Sequence, residues 1–106
     1  MVKTRIKPRS FKIGTNYEGH NFKTINPNEA IILSHLPSKW KWIARDKDGS
    51  LGLYAVKPKR ELHSDVWQVE SAYLYMPFPY GRMFKSIKWR DMEPINIDRL
   101  LRDNLE

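Results

Sequence analysis

The sequence predicts an α+β fold: an antiparallel sheet of three to five strands with a C-terminal helix, and a short helix before a central hairpin. Two observations favour this class. Residues in the middle of the chain alternate in type and are separated by turn-forming Asp, Gly and Pro residues. Near the C-terminus, isoleucine and leucines recur at helical spacing instead. A chain of 106 residues is long enough for one domain with a packed core.

The beginning of the chain is strongly basic. Its first 12 residues contain no acid and five bases, which are Lys3, Arg5, Lys7, Arg9 and Lys12. The alternation of bases with small or apolar residues fits either an edge strand with one charged face or an unpaired arm. Pro8 breaks the alternation, and we favour the arm. We therefore divide the chain into a basic N-terminal arm at residues 1–13 and a single β-rich domain at residues 14–106.

A short helix is expected over residues 30–36, immediately before a proline. Asn26 can cap this helix, Pro27 suits its first position, and Glu29 can reach back to the cap. The β-forming run Ile31-Ile32-Leu33 leaves a strand as the alternative.

A β-hairpin is the clearest local signal. Residues 40–45 alternate in type, the sequence Asp-Lys-Asp-Gly-Ser follows at 46–50, and residues 51–57 return. Gly49 fits the left-handed position of a three-residue loop. If Asp46 pairs with Ser50, Trp42 lies opposite Tyr54. One face of the hairpin is then apolar and is expected to be dry, with Trp40, Trp42, Ala44, Gly52, Tyr54 and Val56. The opposite face is mixed and is expected to be half-wet, with Lys41, Ile43, Arg45, Leu51, Leu53 and Ala55.

Two more strands and the final helix complete the prediction. Residues 66–76 alternate and predict one long strand, which ends at a rigid turn over residues 77–81. Residues 83–89 predict a further strand. Asn96 can cap a helix whose apolar positions are Ile97, Leu100, Leu101 and Leu105.

Several kinds of chemistry are excluded or disfavoured by composition. The chain has no cysteine, which excludes disulfides, thiolate metal sites and a cysteine nucleophile. Its three histidines have no acidic or histidine partner three or four residues further on. The Asp-rich turn at 46–49 lacks the glutamate that closes a calcium loop. We therefore expect no catalytic residues, no metal, no cofactor and no enzymatic activity. No apolar run approaches the ~18 residues of a membrane span, so no membrane partner is expected.

Aromatic residues interleaved with bases give the leading functional prediction. Lysine and arginine contact phosphates, while tryptophan and tyrosine stack on unpaired bases. We expect the bases of the arm to bind nucleic acid together with five bases around the hairpin, which are Lys39, Lys41, Lys57, Lys59 and Arg60. If Trp40 and Trp42 belong to the core, only the bases would bind, without reading sequence.

The segment Pro77-Phe78-Pro79-Tyr80 suggests an alternative function. An aromatic loop held by two prolines is pre-organised, and Phe78 and Tyr80 would then anchor a protein partner. The competing interpretation is a loop that folds back over the edge of the sheet. The alternative function is therefore binding of a protein partner.

Residues 36–95 carry a recurring pattern. It consists of an aromatic strand, an Asp-rich turn with glycine, an aromatic return strand, Lys57-Pro58, and the segment Trp89-Arg90-Asp91-Met92-Glu93-Pro94. This pattern resembles a loose group of small uncharacterised proteins encoded by phages and prophages of Gram-positive bacteria. The resemblance implies a β-rich accessory module of a mobile element, acting in the cytoplasm of a bacterial host, and it supplies no site residues.

The resemblance implies binding of nucleic acid or blocking of a host protein. The alternative function is then an inhibitor or adaptor that binds a host protein, for example a defence or nucleic-acid-processing enzyme. A structural protein of a virion is a third possibility and would self-associate.

Overall fold

A computed structural model describes residues 23–104, so the predicted basic arm lies outside the described residues. Within that range, two helices accompany a four-stranded antiparallel sheet and a separate two-stranded antiparallel ribbon, which confirms the α+β class. The elements in chain order are α1 Pro27–Ser34, β1 Trp42–Arg45, β2 Leu51–Tyr54, β3 Lys59–Glu61, β4 Val66–Gln68, a 3-10 turn Ala72–Leu74, β5 Tyr75–Phe78, β6 Ile95–Asn96 and α2 Ile97–Asn104.

Helix α1 begins with the predicted capping box. The Asn26 side chain accepts a hydrogen bond from the Glu29 N–H at 2.8 Å, and Glu29 Oε1 accepts one from the Asn26 N–H at 3.0 Å. Two of the N–H groups that a helix start leaves unpaired are thereby satisfied. The strand alternative for residues 31–33 is therefore wrong, because a local cap and burial of Ala30 and Leu33 outweigh their β propensity.

The hairpin of β1 and β2 has the predicted register. Trp42 lies opposite Tyr54, and Ala44 lies opposite Gly52. The turn is closed by the Asp46 N–H, which donates to the Ser50 carbonyl at 2.8 Å. Gly49 has a φ of 96°, which favours glycine because other residues are strained there. The full order of the sheet is β5-β2-β1-β6, which makes the hairpin its centre.

The prediction of one dry and one half-wet face of the hairpin is wrong, because both faces are buried. Ile43, Leu51 and Leu53, on the face expected to be half-wet, lie in the main core with residues of both helices. The opposite face carries Ala44 and Tyr54, which pack in a smaller core against the β3–β4 ribbon. Alternation along a strand identifies two faces, but it does not say which face the helices cover. Both faces of the central hairpin are buried.

The prediction of one long strand over residues 66–76 is wrong. β4 ends at Gln68, and the chain then makes a 3-10 turn before β5 joins the edge of the main sheet beside β2. β5 also continues through Pro77 to Phe78, where a turn was predicted. Proline is tolerated there because β5 is an edge strand, whose outer N–H positions pair with no other strand of the described part of the chain.

The predicted strand over residues 83–89 is also wrong, since this segment consists of successive turns. Its carbonyl groups are engaged by the half-buried guanidinium of Arg45 on β1. All five N–H groups of that guanidinium donate to backbone oxygens at 2.6–3.0 Å, which belong to Gly49, Gly81, Met83, Phe84 and Ile87. Burial lowers the pKa of Arg45, and saturation of every donor compensates for the lost hydration.

Glu29 holds the same segment from the side of α1. Its Oε2 accepts a hydrogen bond from the Phe84 N–H, while Oε1 closes the helix cap. Phe84 has a φ of 58°, in the left-handed region that is unfavourable for a bulky residue. The strain is offset by this hydrogen bond and by full burial of the Phe84 ring in the main core.

Helix α2 begins as predicted, with Asn96 Oδ1 accepting from the Arg99 N–H at 3.0 Å. Its apolar residues Ile97, Leu100 and Leu101 are buried. At its end, the fully buried Asn104 accepts a hydrogen bond from Ile25 and donates to the carbonyls of Lys23 and Leu100. Asn104 therefore ties the stretch before α1 to the last helix. Across residues 23–104 no helix has the length and apolar character needed to cross a bilayer.

Candidate nucleic-acid interface

Four of the five predicted hairpin bases lie around the open end of the hairpin. Lys41 directly precedes β1 and donates its backbone N–H to the Tyr54 carbonyl at 3.0 Å. Lys39 lies two residues earlier, and Lys57 and Lys59 lie where the chain leaves β2 and enters β3. All four side chains are exposed. We call these four lysines the basic end.

Three lysines of the basic end have no acidic partner within residues 23–104. Among residues 23–104, no carboxylate lies within ion-pair distance of Lys39, Lys41 or Lys59. Lys57 differs, because its Nζ lies 3.2 Å from Glu93 Oε1 in an exposed pair. Exposed pairs of this kind contribute at most about 1 kcal/mol. All four lysines can therefore turn to an external anion at little cost.

Arg60 has a different environment from the lysines. Its guanidinium lies 4.0 Å from the ring centroid of Trp89 and 5.9 Å from that of Trp67. Its Nη1 donates to the Asp91 carbonyl at 3.3 Å, and its Nε is buried without a partner. The structure thus places Arg60 as a link between the ribbon and the loop before α2, rather than among the exposed bases.

The tryptophans divide into buried and half-buried pairs. Trp40 and Trp67 belong to the two cores, whereas Trp42 and Trp89 are half-buried. A cation of the chain already lies over each half-buried ring, since Lys57 Nζ is 5.7 Å from the centroid of Trp42 and Arg60 covers Trp89. Stacking on a nucleic-acid base would have to displace these cations. The exposed surface of the basic end is therefore suited to electrostatic contacts rather than to stacking.

A groove of about 340 Å³ lies beside the basic end, between α2 and the edge of the sheet. It contains a half-buried ion pair that the sequence did not suggest, Lys23 Nζ to Asp91 Oδ1 at 2.7 Å. A second pair joins Arg99 and Asp103 one helical turn apart, at 4.0 Å. No local spacing could have revealed the first pair, because its members are 68 residues apart. The positive and negative charges that line the groove are equal in number. The lysines of the basic end are therefore better placed than the groove to contact phosphate.

The two residues predicted to anchor a protein partner are separated by the structure. Phe78 is 4% exposed and packs in the main core, with its ring centroid 5.5 Å from that of Phe84. A buried ring cannot serve as a surface anchor. Pro77 and Phe78 form neither an exposed loop nor a loop folded over the sheet edge, because they belong to the edge strand β5 itself. Tyr80 is 37% exposed and lies against Phe78. It keeps a surface available for contact.

Comparison with family models, with curated proteins and with solved structures finds no match for this chain. The predicted arm bases Lys3, Arg5, Lys7, Arg9 and Lys12 lie outside the described residues. Within residues 23–104, no group of three or more metal-ligating side chains lies close enough to hold an ion. Within the described residues, the basic end is the exposed group of bases that remains from the predicted nucleic-acid site.

Proposed function

We propose that this protein is a non-enzymatic accessory protein of phage type that binds nucleic acid through its N-terminal bases and the basic end. It would act in the cytoplasm of the bacterial host. The observation that carries the proposal is the placement of Lys39, Lys41 and Lys59, exposed and without a carboxylate partner in the described part of the chain. Phosphates bound there release condensed counterions without first breaking an internal ion pair.

The charge distribution of the sequence supports the same proposal. The chain carries a net charge of +7, of which the first 12 residues contribute five bases and no acid. A basic N-terminal sequence and the basic end on one small protein raise the local concentration of a polyanion and its rate of association. Because the tryptophans are buried or already covered by cations, we expect contacts mainly to the phosphate backbone, and thus weak sequence preference.

The test is a fluorescence anisotropy titration with single- and double-stranded DNA and RNA over a series of salt concentrations. Affinity should fall steeply as salt rises. The triple variant Lys39→Gln, Lys41→Gln, Lys59→Gln should reduce the magnitude of the slope of log K against log salt by about 2 to 3, since each phosphate contact contributes about 0.9.

A matched control removes the same charge elsewhere. Lys47, Arg82 and Lys85 are exposed and lie near the closed end of the hairpin, where Arg45 bonds both Gly49 and Gly81. Their triple change to Gln should leave most of the slope intact. If both triple variants lose the same slope, binding reflects net charge alone. Salt-independent binding, or none at about 50 mM salt, would overturn the proposal.

A second candidate function, an inhibitor or adaptor for a host protein, is favoured by three exposed tyrosines. They are Tyr73, Tyr75 and Tyr80, all near the edge strand β5. Tyrosine is enriched at protein interfaces because its ring is large and rigid. A pull-down from nuclease-treated host lysate separates the two candidates. A stoichiometric protein partner that survives nuclease, and is lost with Tyr73→Ser and Tyr80→Ser together, would favour the inhibitor.

A further inference from the structure

A second cavity lies between the β3–β4 ribbon and the sheet, and its lining differs from the basic end in charge. Its volume is about 270 Å³, slightly below the ~300–1,000 Å³ typical of sites for drug-sized ligands. Its lining includes three aromatic rings and one carboxylate, from Tyr54, Trp67, Tyr75 and Asp46. None of the residues that line it is a lysine or an arginine. In a protein with a net charge of +7 this is an acidic, aromatic pocket.

Gly52 shapes one wall of the pocket. A Cβ atom at this position would lie 2.6 Å from Tyr75 Cε1 and 2.8 Å from Tyr54 Oη. The absence of a side chain therefore lets both tyrosines settle over the backbone of β2. Their ring centroids are 5.3 Å apart and their planes are inclined by 40°. The two tyrosines thus form an angled aromatic wall, and Tyr75 is 38% exposed at its mouth.

Asp46 supplies the negative charge of the pocket. Its Oδ1 accepts a hydrogen bond from the Trp67 N–H at 2.9 Å, which fixes the carboxylate against the ribbon. Burial raises the pKa of Asp46, and the hydrogen bonds from Trp67 and Ser50 oppose that shift. Burial, and then the charge of Asp46, raise the pKa values of Tyr54 and Tyr75. The rings of both tyrosines therefore stay neutral at physiological pH.

We propose that this pocket binds an organic ammonium group, held over the exposed ring of Tyr75, beside the buried rings of Tyr54 and Trp67 and near the carboxylate of Asp46. A cation over an aromatic face is attracted by its quadrupole, and partial exclusion of water strengthens that attraction. Arg60 already lies 5.9 Å from the Trp67 centroid, but among residues 23–104 no cation lies over the ring of Tyr54 or Tyr75. The Tyr75 face of the pocket is thus open to an external cation. The proposal does not depend on nucleic-acid binding.

The ammonium could belong to a free small molecule or to a lysine side chain of a partner protein. Both present the same chemistry, so the experiment uses both. Choline and tetramethylammonium serve as free cations, and N-acetyl-lysine methylamide, with and without three N-methyl groups, serves as the side-chain mimic. Binding is followed by the amide shifts of residues 46, 54, 67 and 75 in two-dimensional NMR. Tighter binding of the first pair indicates a free ligand, and tighter binding of the second indicates a protein partner.

The decisive control is 3,3-dimethylbutan-1-ol, which has the shape of choline without its charge. We expect it to bind about tenfold more weakly than choline. Tyr75→Phe should keep the affinity for choline, whereas Tyr75→Leu should lower it several-fold while the remaining spectrum stays that of the folded protein. Equal binding of choline and its neutral analogue, no shift of the pocket amides with any cation, or full affinity in Tyr75→Leu would overturn the proposal.

Discussion

Gly52 is a residue whose importance comes from the space that it leaves. Because Tyr54 and Tyr75 occupy that space, a Cβ atom in Gly52→Ala would lie 2.6 Å from Tyr75 Cε1 and 2.8 Å from Tyr54 Oη. We expect the variant to be destabilised by about 1–3 kcal/mol, as for other overpacked sites. Urea unfolding followed by tryptophan fluorescence measures this change.

Gly81→Ala is the matched control for Gly52→Ala. A Cβ atom there would meet only the Gly49 carbonyl at 3.5 Å, an ordinary contact. Its free energy of unfolding should stay within about 0.5 kcal/mol of the parent. Equal losses in the two variants would mean that replacing a glycine in itself, rather than contact with the tyrosine rings, decides the cost at position 52.

Asp46 should leave a signature in the pH dependence of stability. Its pKa in the folded protein is raised by burial, so the folded state binds this proton more tightly than the unfolded chain. The free energy of unfolding should therefore fall as pH rises through the unfolded pKa near 4 and up to the folded pKa. Asp46→Asn keeps an oxygen for the Trp67 N–H and removes this contribution.

The quantity to compare is the difference in free energy of unfolding between the parent and Asp46→Asn. Unfolding measured from pH 3 to pH 7 should show the Asn variant gaining stability relative to the parent as pH rises from about 4. A difference that does not change with pH would show that the hydrogen bonds of Asp46 balance the effect of its burial. A difference that changes in the opposite direction would show that they outweigh it.

At the scale of elements, one side chain connects the central hairpin to the segment before α2. Arg45 donates five hydrogen bonds to backbone carbonyls, and three of the accepting residues are Gly81, Met83 and Phe84. Arg45→Met keeps the length of the side chain but leaves these oxygens without donors. Each unpaired and partly buried carbonyl is costly, and we expect a loss of about 3–5 kcal/mol in total.

Two further variants give the Arg45 prediction its control. Arg45→Lys keeps the charge but offers three donors instead of five, so we expect a smaller loss of about 1–3 kcal/mol. Arg90→Lys, at an exposed position, should change the free energy of unfolding by no more than about 0.5 kcal/mol. If Arg45→Lys is as stable as the parent, charge rather than the number of donors is what the segment needs.

Elements whose signals are local could be predicted from the sequence. The cap of α1 depends on residues three apart, the hairpin register on a turn of five residues, and the start of α2 on Asn96 and Arg99. Residues 83–89 could not be predicted, because their path depends on Arg45 and Glu29, which are 39 and 55 residues from Phe84. The strand-like residue pattern there reflects burial of Phe84 and Ile87 without strand geometry.

At the scale of the whole molecule, most of the net positive charge of +7 comes from the first 12 residues, which hold five bases and no acid. We expect deletion of residues 1–12 to lower the salt slope of nucleic-acid binding by about 4, since five bases are lost at about 0.9 each. The free energy of unfolding of the shortened chain, measured alongside, tests whether the loss is one of contacts. A shortened protein with the parental salt slope would assign all binding to the basic end.

The candidate site was predictable only in part. Its exposed lysines follow from sequence, because charged residues at the ends of strands are normally exposed. The burial of Phe78 and the packing of Arg60 against Trp89 and Trp67 were not predictable, since they depend on how the ribbon and β5 pack on the hairpin. The acidic pocket was missed for the same reason, as Asp46 and Tyr75 line it only because the ribbon and β5 both pack on the hairpin.

The way in which Arg45 holds residues 81–87 bears on how this protein can diverge. The guanidinium contacts only main-chain oxygens of that segment, and these are present whatever the side chains are. Arg82 and Lys85 are exposed, so their identities can change while the path of the chain is kept. The exposed side chains of this segment can therefore be substituted without loss of the contacts that Arg45 makes with its main chain.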